Sequence, residues 1–182
     1  MGCFESREES KPGQISFINK DNWEAKHETE KLVAVDCSVN SNDGKVVAAE
    51  AYKFQRIPNA HFLGLEQFMD RTAKPVVSKV PTLEQMTAAL KAIGVDLDTK
   101  VVCYDNADGL FACRAAVLIS AVGVKDVRVL DCKFGTWNVQ SKTELAKVTK
   151  HTGTAFEFKF AEADNFATAA DVDKIVAGNS SV

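Results

Sequence analysis

Residues 100–131 read Lys100-Val101-Val102-Cys103-Tyr104-Asp105-Asn106-Ala107-Asp108-Gly109-Leu110-Phe111-Ala112-Cys113-Arg114-Ala115-Ala116-Val117-Leu118-Ile119-Ser120-Ala121-Val122-Gly123-Val124-Lys125-Asp126-Val127-Arg128-Val129-Leu130-Asp131. The opening run, Lys100 to Asp105, is short, apolar and valine-rich, as a strand buried on both faces requires. Asn106 to Gly109 is a cluster of turn formers. Leu110 to Val122 is too long and too uniformly apolar for a strand and reads as a buried helix, which Gly123 stops. Asp126 to Asp131 is again strand-like. Strand, loop, helix and strand in this order form a βαβ unit, so the sheet is parallel and its crossover right-handed.

Working outward, Leu32-Val33-Ala34-Val35-Asp36 is another buried strand, followed by the turn formers Cys37 to Gly44. Glu50 to Gln55 reads as a helical turn. In Arg56-Ile57-Pro58-Asn59-Ala60-His61-Phe62, Pro58 excludes a helix and leads the chain into a short strand. The spacing predicts a helix over Thr82 to Ile93. Thr82 and Gln85 have capping-box spacing, Leu83, Met86, Leu90 and Ile93 share a face, and Gly94 ends it. Residues 1–13 are polar and read as a tail. Residues 14–140 form the α/β domain, and 141–182 a linker-like segment. In that segment Lys142 to Thr154 is polar, Phe156 to Phe160 alternates like a strand, and Thr168 to Val176 reads as an amphipathic helix.

The composition narrows the function classes. In 182 residues, 46% hydrophobic and 26% charged, there is material for one soluble globular domain with tails. The formal net charge of -3 supplies no positive field for a nucleic-acid backbone. No apolar run approaches the roughly 20 residues that span a bilayer. The five cysteines include no CxxC pair and the three histidines are scattered, so neither a structural zinc nor any other cofactor is expected. The free thiols and the absence of a secretory signal favour a cytoplasmic setting. Met1-Gly2-Cys3-Phe4-Glu5-Ser6 fits the pattern for myristoylation of Gly2, with Cys3 available for a second acyl chain. Membrane contact is expected only if these are lipidated, and Glu5, Glu8 and Glu9 oppose it on an anionic surface.

Six segments in order carry a resemblance: Val33-Ala34-Val35-Asp36-Cys37-Ser38, Phe54 to Phe62, Asp70-Arg71-Thr72-Ala73-Lys74-Pro75, Val101 to Asp105, Ala112 to Leu118, and Val127 through Asp131-Cys132-Lys133-Phe134-Gly135-Thr136-Trp137. Together they resemble a rhodanese domain, and more narrowly the N-terminal domain of two-domain thiosulfate and 3-mercaptopyruvate sulfurtransferases. The resemblance covers about residues 15–177. It implies a short central parallel sheet with helices on both faces.

The resemblance also implies that the nucleophilic cysteine belongs to the second domain, in a loop between a buried strand and a helix. Here the equivalent loop is Asp105, Asn106, Ala107, Asp108, Gly109 and Leu110, with no cysteine. Sulfur transfer needs a thiolate. Carboxylates at Asp105 and Asp108 would instead fill the positive helix end and repel an anionic substrate. Glu66 matches an acidic helper position, whereas Ser78 stands where the family has histidine. Arg114 matches the helix-start arginine and is expected to pair with Asp105 or a loop carbonyl. The chain stops where the second domain would begin.

Three readings follow. The first is a non-catalytic module that packs against a second rhodanese domain or another protein. The second is an active sulfurtransferase with Cys113 as nucleophile, near a helix N-terminus and beside Arg114, although a helix packed on both sides would bury it. The third is a lipid-anchored adaptor. Cys103 is expected to be an inert core residue, Cys37 and Cys132 packing residues at strand ends, and His61 a surface or packing residue. Leu110, Phe111 and Phe134 should form an uncovered apolar patch unless Phe156 to Phe160 folds over it.

Overall fold

The structure, a computed structural model, describes residues 14–41, 44–69, 80–131, 148, 158–159 and 169–178. Five strands form one sheet: β1 (Ser16–Ile18), β2 (Val33–Asp36), β3 (His61–Phe62), β4 (Lys100–Tyr104) and β5 (Asp126–Leu130). Their spatial order is β1-β5-β4-β2-β3 and every pair is parallel. The helices are α1 (Lys20–Lys26), α2 (Ala48–Phe54), α3 (Leu83–Ile93), α4 (Leu110–Ala121) and α5 (Ala169–Val176), with a 3₁₀ turn at Leu65–Phe68. The fold is the α/β architecture that the βαβ reading predicts.

Side chains alternate across the central strands and build two cores. Val35, Val101, Cys103, Val127 and Val129 face α3 and α4, where Met86, Leu90, Ala115 and Ile119 complete the larger core. Ala34, Val102, Tyr104 and Leu130 face the other way, against Trp23 of α1 and the Ile57–Ala60 turn. This is why the strands read as continuous apolar runs. Thr82 and Gln85 form the reciprocal capping box, and Gly94 closes α3 at φ 80°.

Two elements have no counterpart in the sequence reading. β1 has three residues, and α1 has one buried anchor, Trp23 at 3% exposure, so neither shows a period. The helix near Glu50 starts earlier, at Ala48. Phe158 and Lys159, the described part of the expected Phe156–Phe160 strand, form no strand. Phe158 is instead a core residue at 2% exposure, in the α3–α4 layer. The expectations for residues 1–13 with Gly2 and Cys3, for Ser78, Cys132 and Phe134, and for the Glu66 side chain lie outside the described residues. Among the described residues no helix is long and apolar enough to cross a membrane.

Candidate functional site

The carboxyl ends of β2 and β4 and the start of α4 meet at Asp105, the first residue after β4. Gly109 turns the loop into α4 at φ 87°, a left-handed conformation that favours glycine. The turn points four backbone N–H groups at one place. Ala107 and Gly109 donate to Asp105 Oδ1 at 2.9 and 3.1 Å, and Phe111 and Ala112 donate to Oδ2 at 2.9 Å each. Such a cradle of N–H groups at a helix N-terminus is an anion site. Its anion here is the protein's own carboxylate, 4% exposed.

The other loop residues take distinct places. Asn106 closes a two-bond clamp with the segment after β2: Val39 N–H donates to its Oδ1 at 3.2 Å, and its Nδ2 donates to the Val39 carbonyl at 3.0 Å. Asp108 is exposed, and the carboxylate held by the N–H groups at the start of α4 is that of Asp105. Among the described residues every hydrogen bond shown to Asp105 comes from a backbone N–H, not from the Arg114 side chain expected to pair with it. Leu110 is 69% exposed.

Cys113 departs from expectation in its exposure. It is exposed, not buried between layers. Its thiol is pushed up, by local desolvation first and by the Asp105 carboxylate second. Asp105 already uses the N–H groups at the start of α4. We predict that Cys113, isolated by replacing Cys3 and Cys132 with serine, reacts with iodoacetamide at pH 7.5 more slowly than a cysteine in a short peptide. Faster reaction would show an activated thiol. Cys103 and Cys37 are fully buried, and burial drives the Cys37 thiol well above its ordinary range.

A second polar group underlies the loop. Asp36, 2% exposed, accepts from Ser38 N–H at 2.9 Å through Oδ1 and from the Tyr104 hydroxyl at 3.0 Å through Oδ2. Tyr104 Oη in turn accepts from Ile57 N–H at 3.2 Å. One buried carboxylate thus joins β2, β4 and the turn that leads to His61, itself buried. Burial raises the Asp36 carboxyl, and its hydrogen bonds to Ser38 and Tyr104 oppose the shift. Burial also drives the Tyr104 phenol well above its usual range. Sequence reasoning missed this network. Aspartate at the end of an otherwise apolar strand was the available signal, since such a group is tolerated only with fixed donors.

Residues 19–140 match the family model for the rhodanese-like domain. The chain belongs to the rhodanese family. Among rhodanese relatives, it is 32% identical over 110 residues to the probable 3-mercaptopyruvate sulfurtransferase of Pseudomonas aeruginosa, covering 58% of this chain and 38% of that protein. It is 29% identical over 125 residues to the 3-mercaptopyruvate sulfurtransferase of Escherichia coli K12, covering 66% and 43%. The rhodanese fold is also that of Tum1 from Saccharomyces cerevisiae, with TM-score 0.76 at 19% identity over 90% of this chain and 56% of that one. For SseA from Escherichia coli the values are 0.72, 20%, 91% and 63%. The chain therefore spans about two-fifths of the length of these curated relatives. In this rhodanese domain the loop between β4 and α4 is complete as an anion cradle and holds a carboxylate.

Proposed function

We propose that this chain is a sulfurtransferase-like module that carries no sulfur itself and acts by packing against a second domain or protein. The observation that carries this reading is the saturation of the loop's four N–H groups by Asp105. A persulfide or an incoming sulfur oxyanion would need the same donors and would meet a negative charge already there. The chain's coverage of only part of each relative supports a partner domain. The exposed face of α4 supports it too: Leu110, Cys113 and Val117 follow one another at helical spacing, with Leu110 69% and Val117 44% exposed. Phe158 does not cover Leu110. It packs in the core, and the neighbouring Lys159 carbonyl lies near Gly123, past the opposite end of α4.

The test is sulfur uptake. The purified chain, incubated with thiosulfate or with 3-mercaptopyruvate, is expected to gain no sulfur atom by intact mass and to make no thiocyanate from cyanide. Turnover that disappears in Cys113→Ser would establish the active-enzyme reading in its place.

A further inference from the structure

A pocket of about 200 Å3 lies between the carboxyl end of β2 and α2, beside the Asp105 cradle, with whose loop it shares Asn106. Asp36, Ser38, Asn106, Gln55 and Tyr52 supply its polar lining, and Val46, Ala48 and Ala51 its apolar lining. Asp36 is the buried carboxylate described above, and among the described residues its donors are neutral: the Ser38 N–H, the Ser38 hydroxyl and the Tyr104 hydroxyl. A carboxylate has about four lone-pair sites, so acceptor capacity is left over. Among the described residues that line the pocket there is no lysine, arginine or histidine. The nearby Asp105 adds a second negative charge to the Asp36 surroundings. A buried charge is costly unless a counter-charge meets it. Among the described residues the hydrogen bonds to this carboxylate come from neutral donors, the nearest described cation, Arg56, lies over the Tyr52 ring, and an open, partly apolar space remains in front of Asp36.

The geometry points to this pocket as a binding site for a small primary alkylammonium ion, its N–H groups on Asp36 and Ser38 and its alkyl chain against Val46, Ala48 and Ala51. Each alternative fails on a feature of the lining. Anions face Asp36 with Asp105 behind it. A metal ion needs several ligating groups, and the described residues contain no set of three His, Cys, Asp or Glu side chains able to hold one. Drug-sized molecules need roughly 300–1,000 Å3. The Ser38 hydroxyl and the side-chain amides of Gln55 and Asn106 offer further acceptors for an ammonium group, which has three donors. The site does not depend on whether the Asp105 loop is catalytically silent.

The experiment titrates n-butylammonium chloride into the 15N-labelled chain at constant ionic strength and follows the amide spectrum. Saturable shifts are expected at Ser38, Ala51 and the Asn106 side-chain amide, with a Kd on the order of 1 mM, as suits a five-heavy-atom ligand. Butyrate and tetramethylammonium, which lack the positive charge and the N–H donors respectively, should bind at least about tenfold more weakly. Asp36→Asn should weaken butylammonium binding by a similar factor. Because Asp36 also holds Ser38 and Tyr104, Ala51→Leu gives an independent arm. It fills the pocket without touching the network and should abolish the shifts while thermal unfolding remains cooperative. Equal shifts with butyrate or tetramethylammonium, shifts that never saturate, or binding that survives in folded Ala51→Leu would overturn the assignment.

Discussion

Asp105→Ala is expected to lower the unfolding free energy by about 3 kcal/mol in urea titrations. Hydrogen bonds to a charged acceptor contribute roughly 1.5–3 kcal/mol each, and Asp105 accepts four. They do not add. Asn106, Ala107 and Asp108 are exposed, so water reaches part of the vacated cradle and offsets much of the sum. A loss below about 1 kcal/mol would mean that the loop holds its shape without the carboxylate. Asp105→Cys asks the converse question. A thiolate sulfur would stand near the place of the carboxyl carbon, within reach of the same N–H groups because N–H···S contacts are longer than N–H···O. Its pKa should fall, as for thiols at helix N-termini. Its alkylation at pH 7.5 should be about tenfold faster than that of Cys113. Equal midpoints in the pH profiles of alkylation at the two positions, a measure independent of access, would show that the cradle has no electrostatic effect on a thiol and would remove the main support for the non-catalytic reading.

Phe158→Ala is expected to cost about 3–4 kcal/mol, the usual range for emptying a buried phenylalanine site. Phe158 is 2% exposed and packs in the α3–α4 core. Val176→Ala provides the comparison. At 82% exposure near the end of α5, it should change stability by no more than about 0.5 kcal/mol. If Phe158→Ala were equally silent, the segment beyond residue 140 would be a true linker, dispensable to the domain. The expected result instead makes Phe158 an integral part of the fold, so a chain cut after Thr154 would lose a core side chain before losing any partner-binding function.

The sequence made the central βαβ unit legible because β4, α4 and β5 are long enough to show composition and period together. The capping box at Thr82 and Gln85 was legible because its chemistry is local. α1 was not, since seven residues with one apolar anchor, Trp23, carry no period, although Asn19 caps the helix by accepting from Asn22 N–H. At the site, the missing cysteine and the carboxylate at Asp105 could be read directly. That the carboxylate would collect four N–H donors could not, because this depends on the left-handed turn at Gly109. Exposure of Cys113 was misjudged for a related reason. Uniform apolarity implies burial all round, but α4 keeps one face outward, and Leu110, Cys113 and Val117 lie on it. Asp36 and Tyr104, on neighbouring strands, are separated by many residues in the chain, and no local pattern announces their bond.

The pairing of β1 with β5 bears on how the molecule is made. Ser16 lies opposite Arg128, so the first strand of this sheet to be synthesised docks on its last strand, about 110 residues later. Until then Phe17 and Ile18 have no neighbour along the sheet, and Trp23 lacks the Leu130 side of its layer. Pairings of such high sequence separation close slowly, and at ordinary elongation rates of roughly 5–20 residues per second the N-terminal segment waits for several seconds. During that interval β2, β3 and β4, with α3 over them, can already assemble, whereas β1 and α1 are an undocked arm whose Ile18 and Trp23 still face water. In a crowded cell that arm is the part of the nascent chain a chaperone would be expected to hold.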